Sequence, residues 1–114
     1  MVLRVLKEVL KINKIPKENK GIEKIIKNIK NNNKNLNNKL VLDIGCGEKK
    51  LKGAIGVDVR KTKDVDIIAD ARYLPFKDEV FDHVYSSHLI EHFSHREVKE
   101  VIKEWVRVLK RGYY

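Results

Sequence analysis

Leu40-Val41-Leu42-Asp43-Ile44-Gly45-Cys46-Gly47 decides the reading of this chain. A short apolar run breaks abruptly into Gly-x-Gly, with a carboxylate, Asp43, two residues before the first glycine. An apolar run of this length, bounded by glycines, reads as a buried parallel strand, because a helix needs more residues. Glycine lets the chain turn sharply and lets its backbone approach a ligand with no side chain in the way. The turn then stands at the carboxyl end of a strand, where open α/β sheets bind their ligands. An ordinary strand followed by a glycine turn is the plainer alternative for the octapeptide alone, since a lone Gly-x-Gly is weak evidence.

The motifs farther along the chain narrow the choice. Gly56-Val57-Asp58-Val59 reads as the end of a second strand, over residues 54–59, and residues 65–69 as a short third one. Asp70-Ala71 leads into Leu74-Pro75-Phe76. Phe81-Asp82-His83-Val84-Tyr85-Ser86-Ser87 reads as part of a fourth strand, over 80–86, with Leu89-Ile90-Glu91-His92-Phe93 after it. Trp105-Val106-Arg107-Val108-Leu109-Lys110-Arg111-Gly112 closes a helical pattern. Taken in this order, the motifs from Lys39 onward resemble the class I S-adenosylmethionine-dependent methyltransferases, of the methyltransferase type 11 kind.

The resemblance implies an α/β, Rossmann-like parallel sheet of about four strands with N-terminal helices, and S-adenosylmethionine as cofactor. By the same resemblance Asp43, Gly45, Cys46 and Gly47 order the cofactor loop, and Asp58 with Val59 holds the ribose. Asp70 and Ala71 hold the adenine, and Ser87, close to where the family places its methyl acceptor, also contacts the cofactor. A carboxylate suits the ribose because it accepts two hydroxyls at once. A strand-end cap at Asp58 and an Asx turn at Asp70 are the plainer readings of the same residues. Two departures from the family's pattern stand out. Only residues 46–53 separate the first turn from the second strand, room for one helical turn where the family places a full helix. After Gly112 the family's sheet continues for three more strands, so the chain reads as a truncated version of that fold.

Composition bounds the rest. The chain has 114 residues, 42% of them hydrophobic, enough for one modest domain. Its net charge of +9 is uneven: residues 1–38 carry ten Lys/Arg against three Glu, and residues 39–114 fifteen against thirteen acids. The division is into a basic helical segment with an Asn-rich linker, 1–38, and a cofactor-binding domain, 39–114. Val2, Leu3, Val5, Leu6, Val9, Leu10 and Ile12 recur at helical spacing up to the break at Pro16. Ile22, Ile25, Ile26 and Ile29 mark a second amphipathic helix. Such a charge attracts nucleic acid or anionic surfaces, but the segment has no aromatic residue to stack on bases, and a solvated lysine face explains it as well. No apolar run reaches the roughly 20 residues of a membrane span. The single cysteine, Cys46, excludes an internal disulfide and fits a reducing cytoplasm.

From His88 onward the pattern turns helical in two pieces, with Ser94 capping the second and Gly112 ending it. Val98, Val101, Ile102, Trp105, Val106 and Leu109 form its apolar stripe. Methyl transfer from a sulfonium needs alignment more than a nucleophile, and His88 is the candidate base for an acceptor that must lose a proton. His88-Leu89-Ile90-Glu91-His92 also spells H-x-x-E-H, a zinc-binding pattern if both histidines share a helix face, with His95 one turn on. Three readings result. The first is a methyltransferase acting on an unidentified acceptor. The second is a non-catalytic, methyltransferase-like binding or partner subunit, and the third, more distant, is a zinc site at His88 and His92. With nothing expected after Gly112, residues 80–86 would form an exposed sheet edge, which points to a homodimer or a complementing subunit.

Overall fold

The structure, a computed structural model, describes residues 20–31, 39–87 and 89–111. Four short strands form one parallel sheet: β1 (Val41–Ile44), β2 (Ile55–Asp58), β3 (Ile67–Ile68) and β4 (His83–Ser86). Their order across the sheet is β3-β2-β1-β4. The apolar run at 40–44 becomes the central strand, and every residue of β1 is buried, as a parallel strand covered on both faces requires. Asp43 lies opposite Gly56 on one side and Tyr85 on the other.

Helix α1 (Lys20–Asn31) lays Ile22, Ile25, Ile26 and Ile29 against the sheet's core, so the second expected N-terminal helix is docked. Lys20, Lys24, Lys27 and Lys30 are exposed. The expected first helix, Pro16 and most of the Asn-rich linker lie outside the described residues. On the carboxyl side, a 3₁₀ turn (Ile90–His92) precedes helix α2 (His95–Val108). Ser94 caps α2 in the expected way. Its side chain accepts from the Glu97 N–H at 3.3 Å, while Glu97 accepts from the Ser94 N–H at 3.2 Å, a reciprocal capping box.

The core gathers Leu42, Ile44, Ile55, Val57, Leu74, Phe76, Phe81 and Val108. Phe76 and Phe81 meet edge to face, with ring centroids 4.8 Å apart. Of the stripe expected on α2, Val101 is buried, Val98 and Leu109 are half-buried and Trp105 is half-buried against the core, while Ile102 and Val106 are 45% and 38% exposed; Val108, outside that stripe, is buried as well. Arg107 fastens the helix to the preceding loop. Its guanidinium donates to the Leu74 carbonyl at 3.0 Å and the Phe76 carbonyl at 2.8 Å, and pairs with Glu104 and Asp78.

The second strand is Ile55–Asp58 where 54–59 was expected, the third only Ile67–Ile68 where 65–69 was expected, and two further expectations change. The fourth strand is shorter than residues 80–86, because Asp82 turns inward. It is 6% exposed and accepts the Leu40 N–H at 2.8 Å, which caps the entry to β1. Helix α2 ends at Val108, well before Gly112, because tertiary pairing overrides the local stop. Leu109 is extended and forms a parallel bridge with Phe81. The Val80 and Phe81 amides donate to the Val108 carbonyl, and the Lys110 amide donates to Phe81. The expected open edge is therefore occupied at its beginning by residues 108–110. Beyond it, β4 has β1 on one side and, among the described residues, no strand on the other. Among the described residues no helix is long and apolar enough to cross a membrane.

Candidate cofactor site

The carboxyl ends of β1 and β2, the segment after β3 and the 3₁₀ turn converge on one pocket of about 240 Å³. Its walls are Ile44 and Gly45 from the first strand and turn, Val57, Asp58 and Val59 from the second, and Ala69 to Arg72 after the third. Leu89, His92 and Phe93 close it. Topology explains the convergence: in an open parallel sheet, all strand ends carrying loops of this kind face the same way.

The glycine turn is built without a helix. Gly45 and Gly47 have φ of +70° and +57°, the left-handed region where a side chain is strained. A Cβ on Gly45 would come within 2.8 Å of Leu89 Cδ2, so the absent side chain is what lets Leu89 close down on the strand end. Six amides of residues 45–51 are spent inside the protein. Gly45 and Cys46 donate to the Val57 carbonyl, Gly47 to Asp58, Lys49 to the Cys46 carbonyl, Lys50 to Asp64 and Leu51 to Asp43. Thr62 closes the web by donating to the Gly47 carbonyl at 2.7 Å. The turn is thus a rigid wall and not a cradle of free N–H groups.

Every expected site residue except His88 lies among the described residues. Gly45, Asp58, Val59, Asp70 and Ala71 line the pocket together. Asp43, Cys46 and Gly47 stand behind it and hold the turn. Asp43 is 3% exposed, and burial pushes its carboxyl above the ordinary value against the opposing pull of the Leu51 N–H and Lys50. Cys46 is buried, and desolvation, reinforced by Asp43, Asp58 and Asp66, pushes its thiol up to about 11. That suits a packing residue and not a nucleophile. Ser87 is exposed just past β4 and away from the pocket wall, and His88 lies outside the described residues.

Asp58 accepts the Gly47 N–H on Oδ2 at 2.9 Å and the Arg60 N–H on Oδ1 at 3.1 Å. A carboxylate oxygen accepts about two hydrogen bonds, so each retains one acceptor direction, the number that a vicinal diol requires. Asp70 closes an Asx turn, accepting the Arg72 N–H at 2.9 Å, and its carboxylate is gripped by the Arg72 side chain. That side-chain contact holds its carboxyl below the usual range. Both plain readings therefore coexist with a place on the pocket wall. Val57, Val59, Ala71 and Phe93 make the remaining surface apolar, which suits a flat ring.

A methyltransferase domain family matches residues 52–114, more than half of the chain. The chain belongs to the class I S-adenosylmethionine-dependent methyltransferase family. The matched region takes in Asp58, Asp70 and the 3₁₀ turn but begins after the glycine turn. The chain is also 36% identical over 83 residues to the uncharacterized protein MJ1252 of Methanocaldococcus jannaschii, covering 61% of this chain and 32% of that one. It thus spans about a third of the length of the curated relative it matches. Family membership makes the domain methyltransferase-like.

Arg72, Leu89, His92 and Phe93 were not expected on the wall. The Asp-x-Arg spacing of an Asx turn was the one signal for Arg72, since it returns the arginine to its own aspartate. Of the H-x-x-E-H pattern weighed as a zinc site, His88 lies outside the described residues. Residues Ile90–His92 make a single 3₁₀ turn and Phe93 is extended, so His92 and His95 do not share a helical face. Among the described residues no group of three or more potential ligands is placed to hold a metal.

Proposed function

We propose that this pocket binds S-adenosylmethionine and that the domain transfers its methyl group to an acceptor. The observation that carries the reading is the meeting of Asp58, with one acceptor direction left on each oxygen, and the Asp70–Ala71 wall in one pocket, closed at the end of β1 by Leu89 packed on Gly45. Asp58 accepts the two ribose hydroxyls. The adenine lies against Val59, Ala71 and Phe93, with its edge toward Asp70. The cofactor, when bound, supplies an activated methyl group on a sulfonium. The protein's share is alignment and exclusion of water, which Leu89, His92 and Phe93 provide from above. In this reading the acceptor approaches past Ser87, which is exposed just after β4.

Because the amides of residues 45–47 are already spent, the methionyl carboxylate is not held by the turn, and affinity rests on the nucleoside half. Titration calorimetry with S-adenosylhomocysteine tests this. We expect saturable binding, weakened by about 1–3 kcal/mol in Asp58→Ala, the usual loss for charge-assisted hydrogen bonds. Absence of saturable binding at millimolar ligand overturns the reading.

A further inference from the structure

Arg72 is the one cation among the described residues lining this pocket, and it belongs to two walls at once. Its Nε donates to Asp70 Oδ1 at 3.1 Å and one terminal nitrogen to Asp70 Oδ2 at 2.8 Å, a parallel two-pronged grip. Its other terminal nitrogen reaches Glu97 Oε2 at 3.4 Å. Glu97 also closes the capping box with Ser94, the residue directly after Phe93. The guanidinium lies over the Tyr73 ring, 5.6 Å from its centroid. Arg72 therefore ties the Asp70 wall to the segment that carries His92 and Phe93.

The grip also determines what Asp70 presents. Oδ1 accepts from both the Arg72 backbone N–H and Nε, which fills it. Oδ2 accepts from one terminal nitrogen, so one acceptor direction is left on the carboxylate. An ionised group held in this way offers a single, fixed acceptor and no donor.

We propose that Arg72 is a positioning residue that makes the pocket selective for a 6-amino purine over a 6-oxo purine. The proposal rests on the nucleoside reading given above. An exocyclic amino group donates to the remaining Oδ2 direction. A 6-oxo group sets an acceptor against an acceptor, and the protonated form of Asp70 that would rescue it is suppressed by the guanidinium. A site built to pair with one hydrogen-bonding group rejects an analogue that leaves it unpaired far more strongly than apolar contacts alone allow. The other titratable groups around this end are Tyr73 beneath Arg72, Glu97 on α2, and Asp58 and His92 on the facing walls.

The test is the affinity of the full chain for S-adenosylhomocysteine and for S-inosylhomocysteine, measured by calorimetry between pH 4 and 8 in wild type, Arg72→Met and Arg72→Lys. Wild type is expected to prefer the adenosyl ligand by about 100-fold at neutral pH, and Arg72→Met to narrow that ratio by about tenfold. In Arg72→Met the preference should also begin to fall at a higher pH, because Asp70 is no longer held ionised. Arg72→Lys, which keeps the charge but not the grip, should retain the pH profile and lose part of the ratio. Equal weakening of both ligands, with ratio and pH profile unchanged, makes Arg72 a purely structural strut and overturns the proposal while leaving the pocket assignment intact. Binding of neither ligand by wild type overturns the pocket assignment and this proposal with it. Melting curves of each variant confirm that folded protein is being compared.

Discussion

Gly56 lies in the middle of β2, and the structure says what a single methyl group there would do. A Cβ at this position falls 2.6 Å from the Asp64 carbonyl oxygen, 2.8 Å from Cys46 Sγ and 3.1 Å from Lys50 Cδ. The lysine stem can swing aside. The Asp64 carbonyl is backbone, in a loop tied to the glycine turn by the Lys50 N–H and by Thr62. Ordinary contact begins at 3.4 Å, so the loop must retreat by about 0.8 Å. Overpacking of this kind costs about 1–3 kcal/mol. The stiffer unfolded chain offsets about 0.4–1 kcal/mol of that. Gly56→Ala should therefore lose about 1–2 kcal/mol net, or about 5–15 °C in melting temperature for a domain of this size.

Gly47→Ala is the control. It has the left-handed φ of +57° but nothing within 4 Å of its Cβ, so it carries conformational strain without a collision. That strain is about 1–2 kcal/mol before the same unfolded-state offset. The two variants separate further at the site. In Gly56→Ala the displaced 62–64 loop loosens its hold on the turn, so S-adenosylhomocysteine binding should weaken along with stability. In Gly47→Ala the Gly47 N–H still reaches Asp58, and binding should follow stability only loosely. Thermal melts by circular dichroism and calorimetry on both proteins decide it. If Gly56→Ala melts no lower than Gly47→Ala and binds ligand as wild type does, the steric reasoning is wrong.

Arg107→Ala removes the guanidinium that donates to the Leu74 and Phe76 carbonyls and to Glu104, which keeps only the Leu74 N–H. It should destabilise by about 1–3 kcal/mol in urea unfolding, with Arg107→Lys intermediate because lysine lacks the fork. Asp82 is buried, which alone would raise its carboxyl, but the Leu40 N–H and Lys110 bring it below its ordinary value. A depressed folded-state value adds stability that is present above the ordinary aspartate range and lost as pH falls through the lower one. Asp82→Asn should flatten that part of the acid limb in melts between pH 2 and 5. A limb identical to wild type would show that Asp82 does not carry the linkage.

Where apolar pattern and glycine agreed, the chain was legible. The apolar run at 40–44 supplies the interior strand β1, and Leu40, Leu42 and Ile44 are buried together. Ser94 was legible as a helix cap from its place before a helical stripe, and its capping box with Glu97 bears that out. The short crossover at 46–53 was legible as a length, but its consequence was not. Nothing in its residue types shows that the amides of residues 45–47 are spent on Val57 and Asp58. The stripe on α2 misplaced Ile102 and Val106 because periodicity gives the width of an apolar face without saying how much of it a small sheet covers. Asp82 and Arg72 were missed for a shared reason. Each is a charged residue whose position is set by a partner far away or turned back on itself, and hydrophobic patterning does not register either.

The end of α2 carries the strongest statement about the sheet. Gly112 offered a local stop, yet the helix gives way at Val108 because the next residues find partners on Phe81. A strand, a helix and a parallel bridge beside that strand are the start of another crossover unit, with Leu109 and Lys110 in the place of a further strand next to β4. The bond that commits the chain to this path is the Lys110 amide to the Phe81 carbonyl, at 2.8 Å, on a residue with no exposed surface. Lys110→Pro removes that donor, and Leu109 already has the extended backbone that a following proline favours. The buried carbonyl is then left unpaired, at a cost of about 1–3 kcal/mol. Lys110→Ala loses only the side-chain contact with Asp82, 3.4 Å away, and keeps the amide. In urea unfolding the proline variant should be the less stable of the two by most of that amount, and exchange at the Val80 and Phe81 amides should quicken in it alone. Equal stability of the two variants would show that residues 109–110 merely rest beside the sheet, and the incipient strand would have to be given up.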